Sequence, residues 1–267
     1  MGEMSNFHHL ATKVKTIPID FDQLYILFIE DTGQFKVGKL ISIKVANLPI
    51  TISPSDLTFL WEECQACFWD KYRLGLRRPR PVMPAIFNVI DMAIKETLSA
   101  STLDTTVRGA PICSVIASDV GVVSIPMSIG GAVMSIKGIL DSLVRYQNGK
   151  IGVIDYKTSS PVNAERTYSA QLDAYVYALK NPEFANGPYP AQSISNQSGL
   201  IFYEPDQLKT SGTGLGALIG SLTWYDLPYS ENRHITLMTE VGSILSGPRP
   251  PSGKRCDVCR YFNQRLG

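Results

Sequence analysis

The sequence has little of what marks a secreted, membrane-spanning or strongly basic protein. Residues 1–15 contain no apolar signal core, and the most apolar region, 110–133, is interrupted by prolines, glycines and an aspartate. We therefore expect neither export nor a membrane span, and with five cysteines and no export signal we expect a reducing, cytoplasmic setting. The formal net charge is only +1, so any surface for a polyanionic partner must be a local basic patch.

Two further absences argue against two kinds of site. The three histidines, His8, His9 and His234, lack the spacing of a histidine metal site. The glycine-rich run 212–220 lacks the lysine of a phosphate-binding loop, so nucleotide binding is not predicted. The chain has 267 residues, of which 44% are hydrophobic and 18% charged, and this composition is typical of a folded domain with room for a small appendage.

The hydrophobic pattern predicts an α/β fold. A β-hairpin extension is expected in residues 1–50, with strands at 25–29 and 35–43, followed by one domain over 51–267. Apolar residues at helical spacing and helix-capping residues predict four helices, at 53–74, 84–98, 163–179 and 232–245. Strand patterns separated by turn residues predict a meander over 112–157 and two later strands at 200–203 and 222–225.

Two aspartates and a lysine lie in neighbouring predicted strands. The segment Gly138-Ile-Leu-Asp141 is followed by a short turn and by Gly152-Val-Ile-Asp155-Tyr-Lys157. Strand alternation places Asp155 and Lys157 on one face, and two nearby carboxylates can bind a hard divalent cation. Such a cation, beside a lysine, is suited to hydrolysing a phosphodiester. The alternative is a surface ion pair between Asp155 and Lys157.

The length of the turn decides whether the two carboxylates meet. A two-residue Asn148-Gly149 turn would place Asp141 opposite Tyr156, on the wrong face. A three-residue loop, 147–149, with Gly149 in the left-handed conformation places Asp141 opposite Asp155, and we predict this loop.

The helix that follows carries Gln171 and Tyr175, which are four residues apart and share a helix face. The segments GILDSLVR, GVIDYKTSS and QLDAYVYAL resemble, in order and spacing, the GxxD, (D/E)xK and QxxxY motifs of RecB-like nucleases in the PD-(D/E)XK superfamily, AddB-type and CRISPR-adaptation nucleases among them. The resemblance covers roughly residues 53–262. It implies a restriction-endonuclease-like core, with a mixed central β-sheet flanked by helices, that cuts DNA with Mg²⁺ or Mn²⁺.

The resemblance also implies roles for individual residues. Asp141 and Asp155 would be metal ligands, the Tyr156 carbonyl a further ligand, and Lys157 the catalytic lysine. Gln171 and Tyr175 would contact DNA or the catalytic centre, although ordinary helix surface and core remain an alternative for both.

One departure from the family concerns a metal-ligating histidine in the helix before the sheet. The corresponding stretch reads Asn88-Val-Ile-Asp91, and an aspartate oxygen can replace histidine for a hard cation. We therefore expect Asp91 as a third ligand. Glu96 is a rival for this role, and a solvated helix residue is an equally open interpretation of Asp91.

Four of the five cysteines form two CxxC pairs, Cys64/Cys67 and Cys256/Cys259, whereas Cys113 is expected in the core. Four thiolates can bind one metal ion or cluster, and we call this predicted site the cysteine staple because it would join the two ends of the domain. By resemblance to cluster-containing RecB-like nucleases, the ligand is a 4Fe-4S cluster. Those proteins supply one cysteine before and three after the core, and the two-plus-two pattern here leaves Zn²⁺ as the alternative.

Basic residues follow the first cysteine pair, and others surround the second. A local patch for nucleic acid is predicted from Arg73, Arg77, Arg78 and Arg80, although a solvated charged face is nearly as plausible.

The predicted function is that of a divalent-metal-dependent deoxyribonuclease, with an exonuclease favoured over an endonuclease, in DNA repair, recombination or phage or CRISPR-type DNA processing. Its partners would be DNA, single-stranded DNA included, and a helicase or another DNA-processing protein. Two alternatives are a catalytically inactive DNA-binding or scaffolding module of the same fold and a zinc-stapled interaction protein.

Overall fold

The computed structural model describes residues 49–79, 83–184 and 189–266, and only the backbone of residues 262–266. The predicted amino-terminal hairpin lies outside these residues, as does Arg80. Its assignment as a separate extension therefore stays a prediction.

Seven strands form one mixed sheet within the described residues: β1 (Ile50–Ile52), β2 (Cys113–Val123), β3 (Met127–Ile129), β4 (Ala132–Tyr146), β5 (Ile151–Lys157), β6 (Gly199–Thr210) and β7 (Gly216–Asp226). The main order is β1-β4-β5-β6-β7, and β2 and β3 also pair with β4. The pairs β1–β4 and β5–β6 are parallel, and the other pairs are antiparallel. The long strand β4 thus connects all parts of the sheet.

Eight α-helices surround this sheet in the described part of the chain: α1 (Pro54–Thr58), α2 (Leu60–Glu63), α3 (Gln65–Leu74), α4 (Ala85–Ser99), α5 (Leu103–Thr106), α6 (Ala164–Lys180), α7 (Glu231–Ser246) and α8 (Asp257–Leu266). A single 3-10 turn, Ala191–Ser193, precedes β6. Among the helices described, none has the length and apolar character needed to cross a membrane.

The two largest apolar clusters of the described residues lie between the helices and the sheet. The larger cluster joins Leu140 and Val153 of the sheet to Val176 of α6 and Met238 of α7. The second joins Val144, Ile154 and Ile201 to Ile94 and Leu98 of α4, and it contains Cys113, which is buried as expected. Because β4 and β5 contribute to both clusters, their residues alternate between two covered faces. The predicted α/β architecture, a mixed sheet flanked by helices, is confirmed.

The prediction of one continuous helix over residues 53–74 is wrong. Residues 54–74 form three short helices that are interrupted at Phe59 and at Cys64, and Cys64 adopts an extended conformation (φ −163°, ψ 103°) between α2 and α3. Helix α4 buries only part of the apolar stripe Ile86, Val89, Ile90, Ala93, Ile94 and Leu98 that predicts it, since Ile86 and Val89 are exposed whereas Ile94 and Leu98 are buried. The two later strands extend well beyond the predicted ranges, to form the β6–β7 hairpin.

Candidate active site

The loop between β4 and β5 sets the register that brings Asp141 and Asp155 together. The N–H of Tyr146 donates to the carbonyl of Lys150 (2.9 Å), and Gly149 has φ +78°. The loop therefore has three residues, 147–149, as predicted. The last paired residues are Ser142 and Ile154, so Asp141 and Asp155 stand opposite each other one position further along the strands.

Asp155 lies almost completely buried on the sheet face that α6 covers. Its Oδ1 accepts a hydrogen bond from Gln171 Nε2 (3.1 Å), and its Oδ2 lies 2.5 Å from Lys157 Nζ. Burial raises the pKa of the Asp155 carboxyl, the Lys157 ammonium lowers it, and the adjacent Asp141 carboxyl raises it again. Apart from the Lys157 ion pair, Oδ2 has no hydrogen-bond partner among the described residues.

Asp141 is half-buried beside Asp155. The backbone N–H of Tyr156 donates to Asp141 Oδ2 (2.9 Å), and the strand register places this carboxyl group opposite Asp155. The Tyr156 hydroxyl donates to Ser142 (2.9 Å) on the opposite face of the sheet, so its side chain points away from the site. The predicted role of the Tyr156 carbonyl as a ligand stays a prediction.

The glycine of the GxxD segment has a steric role. A Cβ on Gly138 would lie 2.9 Å from Cδ of Pro54 and 3.1 Å from Cε1 of Tyr175. Only glycine therefore allows α1 and α6 to approach β4 this closely. Tyr175 uses this approach to donate its hydroxyl hydrogen to the carbonyl of Ile139 (2.7 Å).

Helix α6 presents Gln171 and Tyr175 to the same region of the sheet, as their spacing predicts. Both side chains are buried. Gln171 bridges the Asp155 carboxylate and the Lys157 ammonium, because its Oε1 also accepts from Lys157 Nζ (3.4 Å). Lys157 Nζ lies 4.7 Å from the centre of the Tyr168 ring, the distance of a cation–π contact.

The arrangement fits a divalent cation. Two carboxyl groups converge, and the buried Asp155 Oδ2 keeps lone pairs that its surroundings do not satisfy. A hard cation such as Mg²⁺ or Mn²⁺ prefers carboxylate oxygens, and its charge would offset the cost of burying Asp155. Asp141 and Asp155 are therefore the residues that would hold it.

Asp91 lies near this site but is engaged elsewhere. Its Oδ2 is 3.0 Å from Lys95 Nζ, one turn further along α4. Among the described residues, the four cysteines are the only group of three or more His, Cys, Asp or Glu whose ligand atoms all lie within 4.8 Å of one another. Asp91, Asp141 and Asp155 thus do not form such a group, and Glu96 is exposed on the same helix. A ligand role for Asp91 stays a prediction.

The sequence analysis missed Lys95 and Asp119. Lys95 Nζ lies 2.7 Å from Asp119 Oδ1 and 3.6 Å from Asp141 Oδ1. The only sequence signal was the spacing of Asp91 and Lys95. Asp119 carried no signal beyond its place in a turn-like stretch, whereas the structure places it inside β2 with φ +53°.

The two cysteine pairs meet, as predicted. The Sγ atom of Cys259 lies 3.7 Å from that of Cys64 and 3.4 Å from that of Cys67, and the Sγ atoms of Cys67 and Cys256 are 3.6 Å apart. All four side chains are buried. The backbone N–H of Gly253 donates to Cys64 Sγ (3.4 Å), so the site has thiolate-stabilising hydrogen bonds as well as four sulfur atoms.

The predicted basic residues differ in their surroundings. Arg78 forms an ion pair with Glu63 and lies 3.8 Å from Cys256 Sγ, so its cation faces the cysteine staple. Arg73 and Arg77 are exposed. Contact of these arginines with nucleic acid stays a prediction.

A family model and a solved structure are similar to this chain. The family model described as the PD-(D/E)XK nuclease superfamily matches residues 69–263. The crystal structure of SSO0001 superposes with a TM-score of 0.45 and 16% sequence identity, over 75% of this chain and 79% of that chain. No curated protein matches the sequence. Since the family model spans well over half of the chain and includes both aspartates and the lysine, this chain belongs to the PD-(D/E)XK nuclease superfamily.

Proposed function

We propose that this protein is a metal-dependent deoxyribonuclease that hydrolyses phosphodiester bonds at Asp141, Asp155 and Lys157. The observation that carries the proposal is the convergence of two carboxyl groups and an ammonium group on one buried spot, with Asp155 Oδ2 ion-paired to Lys157. Burial of the Asp155 carboxylate beside a second carboxyl group is costly unless cations offset it, so this arrangement favours function over a purely structural role.

Each residue of the site has its own role in the proposed reaction. Asp141 and Asp155 hold the cation, which when bound lowers the pKa of water and stabilises negative charge on a phosphoryl oxygen. The Lys157 ammonium orients the attacking water and neutralises charge that develops on the phosphate. Gln171 fixes both Asp155 and Lys157 in place, and the Tyr156 N–H fixes Asp141.

The test is cleavage of labelled linear single-stranded, linear double-stranded and circular DNA in Mn²⁺ or Mg²⁺. Wild type is compared with Lys157→Met and with Lys137→Met, a control that removes an exposed lysine from the same sheet. We expect Lys157→Met to lower kcat by about 10² to 10⁴ and the control to retain activity. Because an exonuclease is the favoured form, circular DNA should resist cleavage.

Two other outcomes would overturn parts of this proposal. DNA binding without cleavage in any metal would favour the scaffolding module. Binding to no DNA, with the cysteine staple intact, would favour an interaction protein. A helicase partner, a cytoplasmic setting and the amino-terminal extension remain predictions.

We further propose that the cysteine staple holds a single Zn²⁺ rather than a 4Fe-4S cluster. A single zinc ion and a 4Fe-4S cluster hold their four cysteine sulfurs at different separations. With Zn–S bonds of about 2.3 Å, a tetrahedral site separates its sulfurs by about 3.8 Å. Three of the sulfur separations here are 3.4–3.7 Å, and all four atoms lie within 4.8 Å of one another. In a four-iron cluster each cysteine binds its own iron, so the sulfurs must stand further apart.

The metal is identified by purifying the full chain anaerobically, recording its visible spectrum and measuring zinc, iron and acid-labile sulfide. One zinc per chain and a colourless protein are expected, and Cys259→Ser should lose the zinc. A brown protein with iron and sulfide in equal amounts would show that the cluster implied by the family resemblance is correct.

A further inference from the structure

Lys95 lies among three carboxylates at the edge of the candidate active site. Its Nζ is 2.7 Å from Asp119 Oδ1, 3.0 Å from Asp91 Oδ2 and 3.6 Å from Asp141 Oδ1. These partners come from α4 itself and from the two paired strands β2 and β4. The lysine therefore ties the helix before the sheet to the strand that carries a proposed metal ligand.

Asp119 stands in register with Asp141. The pairs Ser118–Ser142 and Val120–Leu140 flank these two residues on the antiparallel strands β2 and β4. Since Asp141 stands opposite Asp155 on the other side, the three aspartates occupy one row across β2, β4 and β5. Asp119 has φ +53°, an uncommon backbone conformation for a non-glycine residue in a strand, and its carboxyl group is used to hold Lys95.

The charges explain why an ammonium is needed here. Four aspartates, Asp91, Asp119, Asp141 and Asp155, face only two lysines, which leaves two excess negative charges when all are ionised. The Lys95 side chain is only 15% exposed, and its ammonium lies within 3.6 Å of three carboxylates. Without it, four carboxylates would surround the point that an anionic phosphate must approach.

We propose that Lys95 is a positioning residue of the nuclease site, which holds the Asp141 carboxylate and is itself held by Asp91 and Asp119. This inference rests on the proposed function, because it assigns Lys95 to the same site. Two opposite effects follow from its position. Its ammonium helps DNA cleavage by orienting Asp141 and reducing repulsion of the phosphate, but it also competes with a metal cation for Asp141 Oδ1.

The test measures metal binding and DNA cleavage separately. Binding of Mn²⁺ alone is measured from the electron paramagnetic resonance signal of free Mn²⁺, and cleavage is measured as kcat and KM at saturating Mn²⁺. The variants are Lys95→Met, Lys95→Arg, Asp119→Asn and the control Lys137→Met. Asp119 is mostly exposed, with 66% of its side chain accessible, so Asp119→Asn is expected to fold even if Lys95→Met does not.

Lys95→Met is expected to change Mn²⁺ binding and DNA cleavage in opposite directions. Mn²⁺ should bind about threefold to tenfold more tightly, as expected for removal of a screened competing charge. Cleavage should nevertheless slow by about 10-fold to 100-fold in kcat, the range for loss of a group that orients a metal ligand. Asp119→Asn should slow cleavage less, Lys95→Arg should recover part of the rate by retaining the charge, and Lys137→Met should match wild type in both measurements.

A parallel loss of Mn²⁺ binding and cleavage would show that Lys95 is only structural, and unchanged cleavage in Lys95→Met would overturn the proposal outright. Failure of the proposed function looks different. In that case wild type cuts no DNA, while the change in Mn²⁺ affinity of the Lys95 variant still tests the competition. If wild type binds no Mn²⁺ and cuts no DNA, both proposals fall.

Discussion

Gln171 donates a hydrogen bond to Asp155 at 3.1 Å from the helix that covers the sheet. Its amide oxygen accepts a hydrogen bond from Lys157, so a single neutral side chain orients both the Asp155 carboxylate and the Lys157 ammonium. An amide can do this because it carries one acceptor and two donor hydrogens on one planar group. In this chain the glutamine of the QxxxY segment therefore holds Asp155 and Lys157 in position.

Replacing Gln171 with methionine should impair cleavage without removing any charge. Methionine fills a similar volume but offers Asp155 no donor and Lys157 no strong acceptor. We expect a loss of about 10-fold to 100-fold in kcat or in Mn²⁺ affinity, the usual range for partners of metal ligands. The control is Gln207→Met, at an exposed position of β6. Equal activity in the two variants would mean that Gln171 has no part in the site.

Tyr175→Phe should affect stability more than cleavage. The hydroxyl group is buried and donates to the carbonyl of Ile139, two residues before Asp141. Its removal should lower the free energy of unfolding by about 1 kcal/mol, measured by urea denaturation. A collapse of cleavage with unchanged stability would instead indicate that Tyr175 contacts the reacting groups, the role that the family resemblance implies.

The parts of the site that sequence reasoning predicted depend on short distances along the chain. The register of β4 and β5 follows from one three-residue loop, and the shared face of Gln171 and Tyr175 follows from helix periodicity. Strand alternation likewise places Asp155 and Lys157 together. These relations need no knowledge of the rest of the fold.

What local sequence patterns could not supply are the backbone breaks and ion pairs that depend on distant segments. The paired CxxC spacing predicts that Cys64 meets Cys259, 195 residues away, but the apolar spacing around Cys64 suits one continuous helix and does not predict its extended conformation. The link between Lys95 and Asp119 crosses from a helix to a strand, and no local pattern marks it. Propensity and periodicity carry no information on such tertiary partners.

Asp173, which lies inside the QLDAY segment, forms a second buried ion pair away from the site. Its carboxylate accepts from Arg233 at 2.6 and 2.9 Å and from the backbone N–H of Ser230 at 3.1 Å. Arg233→Met should leave this carboxylate buried without its cation and reduce stability by about 2 kcal/mol, discounted because the arginine is one-third exposed.

The matched control for this ion pair is Glu165→Gln. Glu165 also faces Arg233, but at 3.8 Å and with 69% of its side chain exposed. Its replacement should change stability by less than about 0.5 kcal/mol. Similar losses for both variants in chemical denaturation would contradict the assignment of the stabilisation to Asp173.

His234 makes the fold sensitive to acid. It is fully buried on α7 and stacks on Tyr177, with ring centres 4.6 Å apart, and neither ring nitrogen has a hydrogen-bond partner among the described residues. Burial lowers the pKa of His234 to about 4. The unfolded chain therefore binds a proton more readily, and the stability that the neutral ring allows should be lost as the pH falls from 6.5 towards 4.

The measurement compares the unfolding free energies of wild type and His234→Phe between pH 4 and pH 8. Phenylalanine preserves the ring stacking but cannot bind a proton. As the pH falls through this window, the free energy of unfolding of wild type should decrease relative to that of the variant by up to about 3 kcal/mol. A constant difference across the window would show that His234 does not titrate on unfolding.

The cysteine staple has a consequence for how the molecule responds to proteolysis. Cys67 and Cys256 are 189 positions apart, so an ion bound by both pairs closes the intervening chain, which includes strands β2 to β7, into a ring. A single protease nick in the exposed turn at 211–215 would open that ring into two fragments, each carrying one CxxC pair. The bound metal would then bridge two separate polypeptides, and a chelator would withdraw the only link between them other than noncovalent packing.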